Sequence, residues 1–357
     1  MIKKFLSVLI MGMIMLSFTA CMNMKSVYKA PDSTLPIKSN SSFVQNNRVY
    51  LINETGDGWE NVTPEAIPAG EMIFNVLFID RKNGWAVGGN TEGSTHVTFY
   101  RTRNGGDGWE VSSVNGVDTT GWADMDFIDK EYGWLLVHQG AAMMHEGVAL
   151  LRTEDGGASW ETVSEAKPQQ DRDGNIPFAG DKAGISFQTP ERGWLTGYEP
   201  VSGFIYLYLT QDGGKTWNEK KVQVPDKYKN VEFACMPPLV FSDKDMLLPL
   251  KEGSNLVFYS TGDGGNHWSP GSWVTSSGEG ASFLYSFYDR EHGFAADGGA
   301  MFATSDGGLT WKKTVLGMKL ESMEFQKMIF TGEKAGWLIG KEKGILKTAD
   351  GGATWKG

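Results

Sequence analysis

An eight-residue phrase, repeated along most of the chain, is the feature that most restricts its fold. It reads T-Q-D-G-G-K-T-W at 210–217 and is called the box below. Close copies occupy 153–160, 304–311 and 348–355, looser copies occupy 102–109 and 261–268, and the faintest copy occupies 54–59. Successive box tryptophans lie 43 to 57 residues apart. Self-similarity at such a period indicates an array of small structural units rather than one irregular domain.

Each residue type in the box suits a tight connection between two antiparallel strands. The Asp or Asn side chain accepts hydrogen bonds from backbone N–H groups two residues on, and the glycines supply positive φ angles. The Ser or Thr hydroxyl adds a second local bond, while the Trp begins the outgoing strand and packs between neighbouring sheets. These interpretations give the box a structural and non-catalytic role. The residues predicted to have it are Asn104, Asp155, Asp212, Asp263, Asp306, Asp350, Trp109, Trp160, Trp217, Trp268, Trp311 and Trp355.

A second motif completes the repeat and has the form Phe-x-Asp-x-x-x-Gly-Trp. Copies of this Phe–Gly motif occupy 78–85, 127–134, 187–194, 287–294 and 330–337, with an eroded copy at 241–246. Each copy predicts one strand, a polar turn and the start of a second strand. A third strand, such as Phe204–Leu209, then leads to the box and a fourth strand. Four short strands per unit are typical of a propeller blade.

The predicted fold is therefore all-β, a β-propeller of four-stranded antiparallel blades. Residues 71–357 contain six such units. The faint box at 54–59 favours a seventh, irregular first blade assembled from residues before 64. In the alternative, those residues clasp the short last blade and close a six-bladed ring.

The first 42 residues differ from the repeats. Residues 1–20 have Lys3 and Lys4 before an apolar run, which is the layout of a secretory signal. The phrase S-F-T-A-C at 17–21 resembles a bacterial lipobox, so Cys21 is the predicted lipidation site. A plain signal peptide with an incidental cysteine is the alternative. Residues 21–42 read as a flexible tether, and 43–357 as a single propeller domain.

Composition and spacing argue against several classes of site. The net charge of −10 disfavours a nucleic-acid partner. Asp171, Asp173 and Asn175 alternate as in a calcium loop, but no Glu closes the loop, so an exposed insertion is favoured over a metal site. The five histidines lack metal-ligand spacing, and His138 and His145 are expected to be exposed and idle. No cofactor is predicted, and Cys235 is expected to be a buried core residue.

The box resembles the Asp-box, or bacterial neuraminidase repeat. Together with the Phe–Gly motif it makes residues 48–357 similar to the photosystem II stability and assembly factor-like propellers. This resemblance implies that the boxes lie on an outer rim, away from the central site. It also implies an interaction role, since photosynthetic members assist assembly of a membrane complex by binding a protein.

The predicted function is that of a non-catalytic, lipid-anchored interaction or assembly module at the bacterial cell envelope. It would be exported and held on the extracytoplasmic side of a membrane through Cys21. The partner is expected to be a protein, with a glycan as the alternative ligand. Candidate contact segments are 140–147, 166–181 and 272–280, chosen by length. A sialidase-like or other glycoside hydrolase is the alternative, but the Arg-Ile-Pro segment and the converging arginines of a sialidase are not evident.

Overall fold

The computed structural model describes residues 41–90, 92, 94–168, 174–276, 283–297, 299–315, 325–340 and 344–357. The predicted signal peptide, Cys21, the tether up to residue 40, Asp171 and Asp173 lie outside the described residues. Within the described residues, no helix is long and apolar enough to span a membrane.

The described residues form 28 strands, which follow the repeats and are grouped below into units. Unit 1 contains β1 (Ser42–Gln45), β2 (Arg48–Ile52) and β3 (Trp59–Asn61). Unit 2 contains β4 (Glu71–Phe78), β5 (Gly84–Asn90), β6 (Ser94–Thr102) and β7 (Glu110–Thr119). Unit 3 contains β8 (Ala123–Phe127), β9 (Gly133–Ala142), β10 (His145–Thr153) and β11 (Glu161–Ala166). Unit 4 contains β12 (Asp181–Phe187), β13 (Gly193–Tyr198), β14 (Leu207–Thr210) and β15 (Asn218–Glu219).

The second half of the chain continues the same order after a 3-10 turn at Asp226–Tyr228. Unit 5 contains β16 (Ala234–Cys235), β17 (Leu239–Val240), β18 (Met246–Glu252), β19 (Asn255–Thr261), β20 (Ser269–Pro270) and β21 (Val274–Thr275). Unit 6 contains β22 (Leu284–Phe287), β23 (Gly293–Ala296), β24 (Ala300–Thr304) and β25 (Lys312–Val315). Unit 7 contains β26 (Phe325–Phe330), β27 (Gly336–Gly340) and β28 (Ile345–Thr348).

The all-β prediction is confirmed, but the strand inventory is less regular than four per unit. Units 1 and 7 have three named strands, and Lys356 pairs with Lys347 where unit 7 would have a fourth. Units 4 and 5 belong to one ten-stranded sheet, because the short β16 pairs with both β13 and β18. The count of seven blades therefore stays a prediction. The box strands also begin one residue later than expected, after the Trp, except at Trp59.

The Phe–Gly motif exists because an aromatic ring lies on the glycine that follows it. Phe127 and Gly133 are cross-strand partners, and a Cβ atom on Gly133 would lie 2.3 Å from the Phe127 ring. Glycine is therefore the residue that fits there. The other side of that ring stacks on Trp85 of unit 2, with ring centroids 3.8 Å apart and planes 7° apart. The same stack recurs between Trp134 and Phe187, with centroids 3.6 Å apart.

Apolar cores of this kind lie between consecutive units, and the last unit packs against the first. Phe43 and Ile52 of unit 1 share a core with Trp337 and Ile339 of unit 7. Trp59 meets Trp337 edge to face, with centroids 5.2 Å apart. Sheets that pack in a cycle form a propeller, so residues from unit 1 close the ring.

The strand order gives the ring two distinct faces. Phe78, Gly84 and Thr102 are aligned across β4, β5 and β6, so the Phe–Gly turn and the box lie at the same end of a unit. This end is called the box face. The hairpins between second and third strands, such as the one between β9 and β10, lie at the other end, with the links between units. That end is called the hairpin face.

We predict that Gly133→Ala lowers the free energy of unfolding by about 2 kcal/mol, because the new methyl group displaces the Phe127 ring from its stack on Trp85. Chemical denaturation followed by tryptophan fluorescence measures the change. The control is Gly332→Ala, where a Cβ atom meets nothing within 4 Å. Equal stabilities of the two variants would contradict the packing role of this glycine.

Candidate functional site

Both oxygens of the box carboxylate accept hydrogen bonds from inside its own turn. Asp212 Oδ1 accepts the Thr216 N–H at 2.9 Å and the Thr210 hydroxyl at 2.9 Å, while Oδ2 accepts the Thr216 hydroxyl at 2.7 Å. The N–H group is thus four residues on, not two as the sequence predicted. The same bonds recur at Asp155, Asp306 and Asp350. An oxygen that already accepts two local bonds is poorly placed to take a proton from a substrate.

The pKa of Asp155 shows what these bonds do to the box. Burial alone would raise it, but hydrogen bonds from Ser159 and Thr153 outweigh burial and hold it at about 2. The carboxylate is therefore ionised at any physiological pH, and its charge is satisfied by the turn.

Two roles within the box were missed from the sequence. The Thr210 hydroxyl accepts the N–H groups of Gly214 and Asp212, so the first residue of the box also closes the turn. The Gly213 N–H donates to the Glu191 carbonyl at 2.8 Å, which ties the box to the Phe–Gly turn of the same unit. The first of these roles could have been recognised from the Thr that begins every intact copy of the box.

The looser copies keep the turn with other side chains. Asn104 Oδ1 accepts the Gly108 N–H at 3.0 Å, as the Asp does elsewhere. In the box at 261–268, His267 takes the place of the hydroxyl, with its Nδ1 2.6 Å from Asp263 Oδ2. In the faintest copy the acceptor is Asn53, which precedes the segment recognised from the sequence.

The box tryptophans contact the preceding unit. The ring of Trp160 lies 5.0 Å from Phe99, and that of Trp268 lies 5.9 Å from Trp194. Trp311 is 5.6 Å from Phe258. The remaining three reach back by a hydrogen bond or a shared core: Trp109 to Val62, Trp217 to Ser164, and Trp355 to Met301.

Several arginines are also committed to the boxes. Arg101 donates to the Asp155 and Gly156 carbonyls of the next unit, and Arg192 donates to the Gly264 carbonyl. Arg81 instead donates to the Ile52 carbonyl at the end of β2, outside the box of unit 1. These guanidinium groups bind backbone carbonyls of other units. They therefore do not converge on a site for a substrate carboxylate.

The three segments chosen for their length do not share one face of the ring. Residues 140–147 belong to the hairpin of β9 and β10 and lie at the hairpin face. The described part of 166–181 reaches both faces, because Gly174 pairs with Trp217 beside a box, whereas Gly180 pairs with His145 of that hairpin. In the described part of 272–280, the Ser272 N–H donates to the Gly308 carbonyl of a box, and the Ser276 N–H donates to the Ser254 carbonyl at the hairpin face. Residues 169–173 and 277–280 lie outside the described residues.

A buried charged cluster lies beneath this hairpin, and it corrects one prediction. His138 was expected to be exposed and idle, yet the residue is 5% exposed. Its Nδ1 lies 2.6 Å from Glu146 Oε1, and its Nε2 lies 3.0 Å from Asp124 Oδ2. Each of the two ring nitrogens faces a carboxylate, which can only accept a hydrogen bond. Both nitrogens therefore donate, so the imidazole is protonated. His145 is exposed, and its Nδ1 contacts the Met143 carbonyl.

The cluster also joins unit 3 to unit 4. The Lys182 N–H donates to Glu146 Oε2 at 2.5 Å, and the Lys182 ammonium donates to the Gly180 carbonyl at 2.8 Å. Burial would lower the pKa of His138, but the hydrogen bonds and charges of Asp124 and Glu146 outweigh it and raise the pKa to about 9. The pKa of Glu146 is lowered in turn, since the bonds and charges of His138 and Lys182 outweigh burial. An imidazole that is charged at neutral pH and paired at both nitrogens is suited to holding elements together and unsuited to general-base work there.

Several exposed apolar side chains lie at the hairpin face. Met143 is 92% exposed at the tip of the β9–β10 hairpin, and Trp122, whose carbonyl accepts the His138 N–H, is 50% exposed in the chain that enters β8. Met72 and Val201 are also exposed at the hairpin face. Met143 has a φ of 50°, a left-handed conformation that costs a non-glycine residue of order 1 kcal/mol.

A pocket of about 530 Å³ opens on the same face where units 4 and 5 join. Its described lining consists of Tyr198, Ser202, Asn230, Val231, Glu232, Ala234, Lys251, Glu252 and Gly253. The Tyr198 hydroxyl donates to Glu232 Oε2 at 2.6 Å, and this bond raises the pKa of Tyr198. Neither arginine nor histidine occurs in this lining.

Metal and thiol chemistry have little support in the described part of the chain. No group of three His, Cys, Asp or Glu side chains there is arranged to hold a metal ion. Cys235 is completely buried, as predicted, and burial raises the pKa of its thiol well above the ordinary value.

Comparison with known proteins shows which propellers the chain resembles. A family model described as "Photosynthesis system II assembly factor YCF48" matches residues 278–357. The photosystem II assembly protein Ycf48 of Thermosynechococcus vestitus is 24% identical over 328 residues, which cover 81% of this chain and 83% of that protein.

Two solved structures have comparable likeness. YCF48 from Cyanidioschyzon merolae has a TM-score of 0.57 at 18% identity, and the match covers 90% of this chain and 98% of that one. The GH74 enzyme of Niastella koreensis has a TM-score of 0.55 at 14% identity, with coverage of 92% and 55%. The propeller prediction is thereby confirmed. Because the fold is shared with an enzyme, structural likeness alone does not decide the function.

We predict that the His138 cluster makes stability depend on pH. A raised pKa means that its stabilisation is complete below about pH 6.5 and is lost as the pH rises through about 9. The parent protein should lose roughly 3 kcal/mol more unfolding free energy than His138→Gln over this interval. Urea unfolding at several pH values measures the difference. His145→Gln, in the same hairpin but exposed, should follow the parent, and parallel curves for the parent and His138→Gln would exclude the role.

Proposed function

This chain is an Asp-box β-propeller similar to the photosystem II assembly factors, and we propose that it is a non-catalytic module that binds a protein through its hairpin face. The observation that carries the proposal is the match to the Ycf48 assembly protein over most of both chains. The name of that relative describes assembly, and assembly factors act by binding other proteins.

The position of exposed apolar surface supports the hairpin face as the binding face. Met72, Trp122, Met143 and Val201 are exposed there, and protein interfaces are enriched in aromatic residues and Met. Trp122 and Met143 stand on elements that the His138 cluster fixes to each other, since Asp124 lies in β8 and Glu146 in β10. A rigid base reduces the entropy lost on binding.

Glycoside hydrolysis is the alternative, and the pocket contains the one feature that favours it. A sialidase needs a tyrosine paired with a glutamate, and Tyr198 bonds to Glu232 at 2.6 Å. However, the raised pKa of Tyr198 opposes its use as a nucleophile. The arginines that would bind a sialic-acid carboxylate are instead engaged with boxes, as for Arg101 and Arg192. Binding is therefore favoured over hydrolysis.

The envelope location belongs to the same proposal and rests on the sequence of residues 1–42. The lipobox-like S-F-T-A-C segment would place lipid on Cys21, and the polar segment after it would let the propeller stand away from the membrane. An extracytoplasmic interaction module follows from this arrangement.

The test is capture of proteins from envelope extracts by the tagged full chain, compared with surface variants. We expect Trp122→Ser and Met143→Ser to lose at least about tenfold in retained partner, because buried apolar contacts dominate interface energies. The controls are Val111→Ser and Leu309→Ser, which remove similarly exposed side chains from the box face. In the same cells, Cys21→Ala should release the protein from the membrane fraction.

Two results would contradict the proposal. One is capture that responds equally to changes on both faces, or no specific capture by the parent. The other is turnover of sialosides or xyloglucan by the purified chain that disappears in Tyr198→Phe or Glu232→Gln.

A further inference from the structure

The pocket between units 4 and 5 opens at the hairpin face, and its construction is unusual for this ring. Elsewhere consecutive units pack face to face, whereas here β16 pairs with β13 on one side and β18 on the other. Ala234 is the residue opposite both Tyr198 and Lys251. A short strand therefore forms the floor of the pocket and fixes the separation of its walls.

The walls are also held in place. The Gly203 N–H donates to the Val231 carbonyl at 2.8 Å, which ties the loop after β13 to the floor. Glu252 Oε2 accepts the Asn255 amide at 2.6 Å, which orders the hairpin between β18 and β19. With a volume of about 530 Å³, the pocket falls within the range of specific ligand sites.

The lining of the pocket carries more negative than positive charge. Glu232 and Glu252 both line it, and among the described residues neither forms an ion pair with a cation. Lys251 also lines the pocket, but its ammonium donates to the Phe283 carbonyl at 3.3 Å. The aliphatic part of Lys251 therefore lines the pocket, while its charged ammonium group is bonded to a backbone carbonyl.

The remaining groups suit a cation with an apolar stem. Tyr198 offers an aromatic ring and, through its bond to Glu232, a fixed carboxylate. Ser202 and Asn230 offer neutral oxygens. Arginine and lysine pair with carboxylates and lie against aromatic rings, and the net charge of −10 attracts basic segments.

We infer that this pocket receives a lysine or arginine side chain of the protein partner. The inference rests on the proposed function and gives it a specificity: the partner segment carries a basic residue that enters the pocket while its neighbours cover the hairpin face. Val201, exposed next to the Ser202 wall, places the pocket at the edge of the apolar surface.

The test uses an array of random hexapeptides with acetylated and amidated ends, probed with the full chain. Selected peptides should carry Lys or Arg at one position, and replacing that residue by neutral citrulline or norleucine should weaken binding at least about fivefold. The double variant Glu232→Gln, Glu252→Gln should weaken binding of the basic peptides by a similar factor and be insensitive to the replacement. Asp118→Asn, which removes an exposed carboxylate outside the pocket, should behave as the parent.

The outcomes separate this inference from the proposed function. Peptides selected without a basic residue, or basic peptides that bind the double variant as they bind the parent, would overturn the inference and leave protein binding intact. An array that selects nothing, together with failed capture from envelope extracts, would overturn both.

Discussion

The structure depends on one recurring contact, an aromatic ring held between the glycine of its own unit and an aromatic residue of the unit before. Phe127 lies on Gly133 and stacks on Trp85, and Phe187 lies on Gly193 and stacks on Trp134. Each ring thus contributes to the fold of one sheet and to its attachment to the next.

The box adds a second set of links, and its hydrogen bonds engage the carboxylate of the box Asp. Gly213 is bonded to the turn of its own unit and receives the indole N–H of Trp134 from the preceding unit at 2.9 Å. Asp212 is used by the turn itself. The repeated acids therefore belong to the scaffold. At the opposite face the repeats diverge, as in the Met143 hairpin, and that divergence is the reason why recognition is proposed there.

More of the fold than of the candidate site could be predicted from the sequence, for physical reasons. The Phe–Gly motif and the box are local, so Phe187, Gly193 and Trp217 predicted strands, turns and packing without knowledge of the partners. The bridging strand at Ala234 was not predicted, because two residues give no periodic signal. The His138 cluster was missed because its acids, Asp124 and Glu146, meet it only through strand pairing, and isolated carboxylates near a histidine carry no spacing rule. The division of the candidate segments between the two faces was not predicted, because it depends on the long-range partners of Gly174 and Ser272.

The central claim is that stacking across units, rather than the boxes alone, joins the sheets into a ring. A double-mutant cycle on Trp134→Leu and Phe187→Leu, measured by chemical denaturation, tests it most directly. Because the two rings lie 3.6 Å apart with planes 4° apart, a coupling free energy of about 1 kcal/mol is predicted. Trp134 and Phe330 lie between different pairs of units. The losses of unfolding free energy in Trp134→Leu and Phe330→Leu should therefore be additive. Additivity in the first cycle as well would contradict the claim.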